Sequence, residues 1–316
     1  MRHRSLCERS VKTLVLGDGF VGGNLSRLLK KKGHEVVTLS RKSGFDLTHF
    51  SSACTAINAI KPEFIFNCAA HVGSMAYVMK NAAIVAHDNL LMAANLYKAA
   101  QDCCPHTHII NPLSNCSYPG SSDIQRETEW WDGEPHYTVL GYATAKRATY
   151  ALARSYRLQY GLRTTNFIVP NAFGVGDSAD PNHTHALSGL IVRMIKAKRE
   201  KAPKFEVWGS GKPVREWCYI ADVVEIMSRA MVMTQDTVDP INIAQNRGYS
   251  IRESAEIIKK HLGYEGELWF NTDHADGART KILDDMKFKT VFPNFKFTDH
   301  DTAVRMTVRY YEEKMV

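Results

Sequence analysis

Tyr142 and Lys146, in Gly141-Tyr-Ala-Thr-Ala-Lys146, stand four residues apart and share one face if the segment is helical. A tyrosine hydroxyl ordinarily titrates near pH 10 (about), and a neighbouring ammonium favours its ionised form by Coulomb attraction. The spacing therefore predicts a tyrosine with a lowered pKa that exchanges a proton with a carbonyl or alcohol, and a lysine that also holds a ribose. Ser114, at the end of an expected strand, would share the same substrate oxygen. Tyr-x-x-x-Lys recurs by chance, so its company decides its weight. That company is Gly17-Asp-Gly19-Phe20-Val21-Gly22, placed after the apolar run from Val11 to Leu16 and opening a helical pattern. The first glycine permits the turn, the second lets backbone approach a pyrophosphate, and the third lets helix and strand pack closely. Free N–H groups and the positive dipole end of the helix add attraction for phosphate. Together these residues imply hydride chemistry with a dinucleotide.

The next strand, His34 to Leu39, ends in Ser40-Arg41-Lys42 where an acid would otherwise take a ribose 2′-hydroxyl. Arg41 and Lys42 suit a 2′-phosphate, so NADP(H) is the expected cofactor. Asp46 and Leu47 follow and are expected near the adenosine.

Positioning such groups needs strands alternating with helices. Further strands are expected over 64–70, from 108 toward Ser114, and over 164–169 and 241–244. Helices are expected near 51–60, 82–102 and 142–159. This alternation predicts an α/β fold: a Rossmann-type, doubly wound parallel sheet with a smaller α/β substrate-binding cap. After Pro170 the chain turns loop-like, with further helices expected at 186–200, 220–234, 251–262 and 300–314. The expected division is a lead-in at 1–10, a dinucleotide domain at 11–170 plus about 216–250, and a substrate domain at about 171–215 and 251–316.

The 316 residues carry 40 Lys+Arg against 33 Asp+Glu, a surplus of +7 that is dispersed rather than gathered into a nucleic-acid patch. The 44% hydrophobic content excludes a disordered chain. The 7 cysteines have no C-x-x-C spacing, which points to a reduced, cytoplasmic protein without a metal site. No apolar run reaches membrane-spanning length, so no membrane partner is expected.

The Gly17 turn, Ser114 and the Tyr142/Lys146 pair together resemble the extended short-chain dehydrogenase/reductases that act on nucleotide sugars. The likeness runs from about residue 11 to 300. Asn67-Cys-Ala69-Ala70-His71-Val-Gly73 looks like the segment that passes beneath the cofactor there, and Asn89 matches a helix asparagine. Within that superfamily, further segments are similar to the GDP-L-fucose synthase family. They are Ser114-Asn115-Cys116-Ser-Tyr-Pro119, Asn171 through His185, Val207-Trp208-Gly209 through Arg215-Glu216, and Asp276-Gly277 through Lys281-Ile-Leu-Asp284. The resemblance implies NADPH-dependent 4-reduction, with 3,5-epimerisation, of a GDP-4-keto-6-deoxy sugar. Catalytic places fall on Ser114, Tyr142 and Lys146, with Cys116 and His185 as the epimerisation acid and base. Pro170 joins the cofactor contacts, and Asn115, Asn171, Arg193, Trp208, Arg215 and Lys281 the substrate contacts. A homodimer through the helices at 82–102 and 142–159 is also implied.

The chain departs from that pattern in a glycine turn one residue shorter, in Asn115 where Ser or Thr is usual, and in Ser74-Met75 after Gly73. Alternatives are a reductase without epimerisation, a nucleotide-sugar 4-epimerase, which Arg41-Lys42 disfavour, and a dinucleotide-sensing protein. Ser114-Asn115-Cys116 lacks the acid pair of a 4,6-dehydratase, and a sensor has no use for Tyr142 and Lys146.

Overall fold

The computed structural model describes residues 10–233, 237–274 and 276–315. Most of the lead-in expected at 1–10 lies outside these residues. The main sheet holds β1 (Lys12–Leu16), β2 (Glu35–Leu39), β3 (Phe64–Asn67), β4 (His108–Ser114), β5 (Arg163–Val169) and β6 (Ile241–Asn242). All pair in parallel, in the order β6-β5-β4-β3-β1-β2. The longer helices are α1 (Phe20–Lys31), α2 (Phe50–Ile60), α3 (Ala82–Cys103), α4 (Leu140–Tyr160), α5 (Ala186–Arg199), α6 (Ile220–Arg229), α7 (Ile251–Leu262) and α8 (His300–Lys314); Met75–Lys80 and Met286–Val291 are short helices.

Helices cover both faces, so β1 and β3 are almost wholly buried, with apolar Leu14–Leu16 and Phe64–Phe66 within them. The strand order reverses between β1 and β3, which opens a crevice at their carboxyl ends. Buried asparagines stitch the sheet together beneath it. Asn67 Nδ2 donates to Asn111 Oδ1 (3.0 Å), and Asn111 Nδ2 donates to Asn166 Oδ1 (2.8 Å) and to the Tyr97 hydroxyl (2.7 Å). Each buried amide is thus partnered, as a low-dielectric interior requires.

Several expected elements are shorter than their patterns. The strand over 64–70 stops at Asn67, and the one over 241–244 holds only Ile241–Asn242. The helix expected to 234 ends at Arg229 and continues as a 3₁₀ turn to Val232; residue 234 lies outside the described residues. Local chemistry sets other ends. Ser250 and Glu253 form a reciprocal cap at the start of α7, and Gly161, at φ 71°, ends α4 in the left-handed region.

The cap is built from short strands. Val214–Arg215 pairs with Thr280–Leu283 and with Tyr249–Ser250, and Lys204–Trp208 pairs with Glu267–Asn271. Ile124–Gln125, from the loop after β4, joins the same sheet through Thr280–Leu283. Asn171–Phe173 lies parallel to Trp217–Tyr219 and bridges the layers.

Glu216 ties cap to sheet. Its carboxylate is fully buried and accepts the Gln245 N–H just past β6 and the Leu283 N–H (2.8 Å) of the cap. Burial pushes its pKa up to about 7 from an ordinary 4.5. The unfolded chain releases this proton first, so stability falls as pH rises from about 4.5 to about 7, by about 3 kcal/mol in all. Glu216→Gln is expected to be less stable overall and to lose this slope. Urea titrations of both proteins across that range check it, and parallel pH dependences would overturn it.

Candidate active site

Three glycines shape one end of the crevice. Gly17, at φ 94°, sits so close to β3 that a Cβ there would lie 2.7 Å from the carbonyl of Cys68. A Cβ on Gly22 would lie 1.9 Å from the Gly17 carbonyl oxygen, so α1 presses directly on the turn. Gly19 differs: nothing stands within 4 Å of its Cβ position, which leaves the α1 N-terminus open to a ligand. The adjoining cavity, about 310 Å³, is lined by Gly17, Gly19, Arg41, Lys42, Asp46, Leu47, Ala69 and Ala70. Phe20 and Val21 begin α1 beside it, and Pro170 follows β5 and is buried.

Asp46 is committed to its own turn. Oδ1 accepts the N–H (2.9 Å) and hydroxyl (2.8 Å) of Thr48, which hold the carboxyl below its usual range. Arg41 and Lys42 are exposed at the rim in a short 3₁₀ turn. An open helix N-terminus at one end and cations at the other fit a dinucleotide carrying a 2′-phosphate.

The candidate reaction centre lies where β4 ends. Ser114 Oγ accepts the Cys116 N–H (3.2 Å) and lies close enough to the Tyr142 hydroxyl of α4 to favour its ionised form. Lys146, one turn on, is buried and donates to the Pro112 carbonyl (3.2 Å), with Nζ 5.8 Å from the centre of the Tyr142 ring. The expected lowering of the Tyr142 pKa by Lys146 is not what this geometry produces. Burial pushes the tyrosine well above its ordinary value, Cys116 raises it further, and only Ser114 opposes them. Burial pushes Lys146 down to about 8. The low dielectric penalises each charged form, so Tyr142 holds its proton firmly.

The cap brings Arg215 toward this centre. Its guanidinium feels both Cys116 and Asp276, against a burial that lowers its pKa. Lys281 is its neighbour across the strand pair. Asn171 Nδ2 donates to the Glu216 carbonyl (3.2 Å), and Asn115 is buried. Trp208 is 58% exposed, so it is not a core residue. The Arg193 guanidinium lies 4.7 Å from its ring centre, and the His274 ring stacks on it at 5.1 Å. The His185 ring lies 5.2 Å from Phe20 of the dinucleotide turn, and Nδ1 contacts Asp177 Oδ1 at 2.8 Å.

Other groups that shape the site were not singled out by the sequence. Asp177 is buried yet lies in a polar loop that reads as surface. Asp276 accepts the Ser210 N–H (2.8 Å) and hydroxyl (2.6 Å), fixing the Gly209 turn near Trp208. His71 and Asp88, bonded at 2.7 Å, line the cofactor cavity from the loop after β3 and from α3.

A dinucleotide crevice meeting a Ser-Tyr-Lys centre under a cap defines a nucleotide-dependent oxidoreductase of Rossmann type. The chain belongs to the NAD dependent epimerase/dehydratase family, whose profile matches residues 13–244. It is 30% identical to a probable GDP-L-fucose synthase of Drosophila melanogaster, over 96% of this chain and 97% of that protein. It is 27% identical to the GDP-L-colitose synthase of Yersinia pseudotuberculosis, over 95% of this chain and 98% of that one. A crystal structure of a GDP-L-fucose synthetase from Naegleria fowleri bound to NADP superposes with a TM-score of 0.86. That pair shares 28% identity over 96% of this chain and 93% of that one.

The glycines should separate by role. Gly19→Ala is expected to fold normally and to bind NADPH roughly tenfold more weakly, about 1.4 kcal/mol, because its methyl fills space a phosphate needs. Gly22→Ala is expected to lose about 1–3 kcal/mol of stability as well, because α1 must move. Paired melting curves and NADPH titrations check this; equal melting temperatures for the two variants would contradict it.

Proposed function

We propose that the protein is an NADPH-dependent 4-reductase, and also a 3,5-epimerase, of a GDP-4-keto-6-deoxy sugar. The observation that carries the reading is the apposition of Ser114, Tyr142, Cys116 and Arg215 at the mouth of the dinucleotide crevice. The named relatives support it: GDP-sugar synthases in which most of each chain is shared.

The residues divide the work as follows. Ser114 and Tyr142 hydrogen-bond the C4 ketone. This makes the protons at C3 and C5 acidic, because the charge left on carbon spreads to that oxygen. Cys116 and His185, on different elements, remove and return those protons from opposite faces. Thiol and imidazole have reference pKa values near 8.5 and 6.5 (about), close enough to neutrality for this exchange. NADPH, when bound, supplies hydride to C4. Tyr142 delivers the proton that makes C4–O⁻ a hydroxyl, and its raised pKa keeps that proton in place until the oxyanion forms. Arg215 and Arg193 hold the diphosphate, and Trp208 and Lys281 face the guanosine.

The division into dinucleotide and substrate domains follows the same reading, with Ile124–Gln125 assigned to the cap. We further propose a homodimer, built on the exposed apolar side chains of α3 and α4, among them Ile84 and Leu158. Among the described residues no helix is long and apolar enough to cross a membrane, and a cytoplasmic enzyme suits the reading.

Turnover of GDP-4-keto-6-deoxymannose with NADPH, followed at the nicotinamide band, tests the reductase; no absorbance loss would sink it. Tyr142→Phe is expected to slow this about 100-fold or more. Incubation in D₂O without NADPH is expected to place deuterium at C3 and C5, and Cys116→Ser to suppress it. Reduction without deuterium would leave a simple 4-reductase. Arg41→Ala is expected to narrow the preference for NADPH over NADH.

A further inference from the structure

We propose that Asp177 is a positioning residue for His185: it fixes the imidazole with Nδ1 protonated and leaves Nε2 as the atom that exchanges protons with substrate. The proposal rests on the role given to His185 above and adds the group that makes the imidazole competent.

The geometry argues it from the carboxylate outward. Asp177 is 1% exposed, so every lone pair it leaves unpartnered is costly. Oδ1 accepts the Ser178 N–H at 2.8 Å and meets His185 Nδ1 at 2.8 Å. Oδ2 accepts the backbone N–H of His185 at 3.2 Å. One carboxylate therefore grips His185 by main chain and side chain together. An ionised carboxylate accepts only, so Nδ1 is the protonated nitrogen. Nε2 is then the basic atom, on a side chain that is still 45% exposed.

His183, in the same loop, provides the contrast. Its Nδ1 lies 3.0 Å from Asp180 Oδ2, but the Asp180 side chain is 48% exposed. Solvent screens that pair, so it holds the ring less firmly than a buried carboxylate would. The buried partner distinguishes His185 from its neighbour.

The loop carrying this pair is anchored to the dinucleotide motif. Asn24 Nδ2, on α1, donates to the Val175 carbonyl (2.9 Å) and to the Phe20 carbonyl (2.8 Å). Gly176 takes φ 90° with its Cβ position 3.1 Å from Asn24 Nδ2, so the loop lies flat on α1. Phe20 supports the imidazole at 5.2 Å. Behind the carboxylate stands the buried Tyr311 of α8, whose hydroxyl is held above its ordinary pKa by burial and by Asp177.

Asparagine cannot reproduce this arrangement. With one acceptor oxygen it must aim its amide at the His185 N–H, or at Nδ1 and Ser178. The second choice donates to Nδ1 and reverses the tautomer. Asp177→Asn is therefore expected to slow deuterium exchange at C3 and C5 about 100-fold or more, with NADPH affinity unchanged. In a His185→Asn background the same substitution should cost nothing further. Nitrogen-15 NMR of the unsubstituted protein, which needs no variant to fold, should show His185 as the Nδ1–H tautomer.

An Nε2–H tautomer would overturn the proposal. So would unaffected exchange in Asp177→Asn, or an equal further loss on top of His185→Asn. If His185→Asn itself leaves exchange intact, the role of His185 fails, and the catalytic half of the proposal fails with it. That result is distinct from a loss in His185→Asn that Asp177→Asn does not reproduce, which overturns the positioning alone.

Discussion

The contact between α1 and the turn that precedes it governs much of the molecule. No side chain fits at Gly22, because the Gly17 carbonyl already occupies the place of its Cβ. That closeness fixes where the free N–H groups of α1 point, and Gly17 in turn is wedged against Cys68 at the end of β3. The helix then acts as a mount for a second region. Phe20 backs the His185 ring and Asn24 holds the Val175 carbonyl, so the loop from Gly174 to His185 is registered on the helix whose N-terminus borders the cavity. Cofactor site and cap loop thus share one rigid reference rather than being joined by a hinge.

Burial sets the chemistry that this frame presents. Tyr142 and Lys146 are close in sequence and space, yet the structure does not yield the ionised tyrosine that simple Coulomb attraction predicts. Desolvation penalises the phenolate and the ammonium alike, raising one pKa and lowering the other. Tyr142 is therefore held neutral, while Lys146, at about 8, still carries its proton at neutral pH. The neutral form is the state in which a tyrosine delivers a proton, and the reverse reaction would need help to take it back. The same balance acts on Glu216, where well-made hydrogen bonds do not overcome the cost of burying a carboxylate between cap and sheet.

Sequence periodicity carried the Rossmann half well, because parallel strands covered on both faces are largely apolar and helices must repeat their apolar positions. Helices α7 and α8 were legible to the residue for the same reason. The cap was less so. Strands such as Val214–Arg215 and Ile124–Gln125 are too short to show any period, and their pairing is decided by distant partners. In the site, Tyr142, Lys146 and the glycines announce themselves by spacing. Asp177 does not: a polar residue in a loop rich in Asp, Asn and Gly reads as surface, and only the folded chain shows it buried beneath α8 and α1. Trp208 is the converse case, a large aromatic that pattern alone assigns equally well to a core and that the fold leaves in solvent.

The modest surplus of positive charge finds its meaning in placement. A guanidinium free in solvent must lose rotamer freedom to grip a phosphate, which offsets much of the attraction. Arg193 has lost most of that freedom already. It lies over Phe205 at 5.4 Å and over Trp208 at 4.7 Å, and Nη1 donates to the Glu206 carbonyl at 3.3 Å. Glu206 meanwhile accepts from the Trp208 indole (3.3 Å) and from Asn271 Nδ2 (2.6 Å), so the stack is braced from below. Burial lowers the pKa of Arg193, but a guanidinium starts high enough to stay charged. A stiff, partly desolvated cation beside an exposed aromatic face binds a planar, anionic ligand with less entropy lost than a mobile lysine would. On the reading proposed above, a few fixed arginines such as Arg193, more than the net charge of the chain, would select the anion.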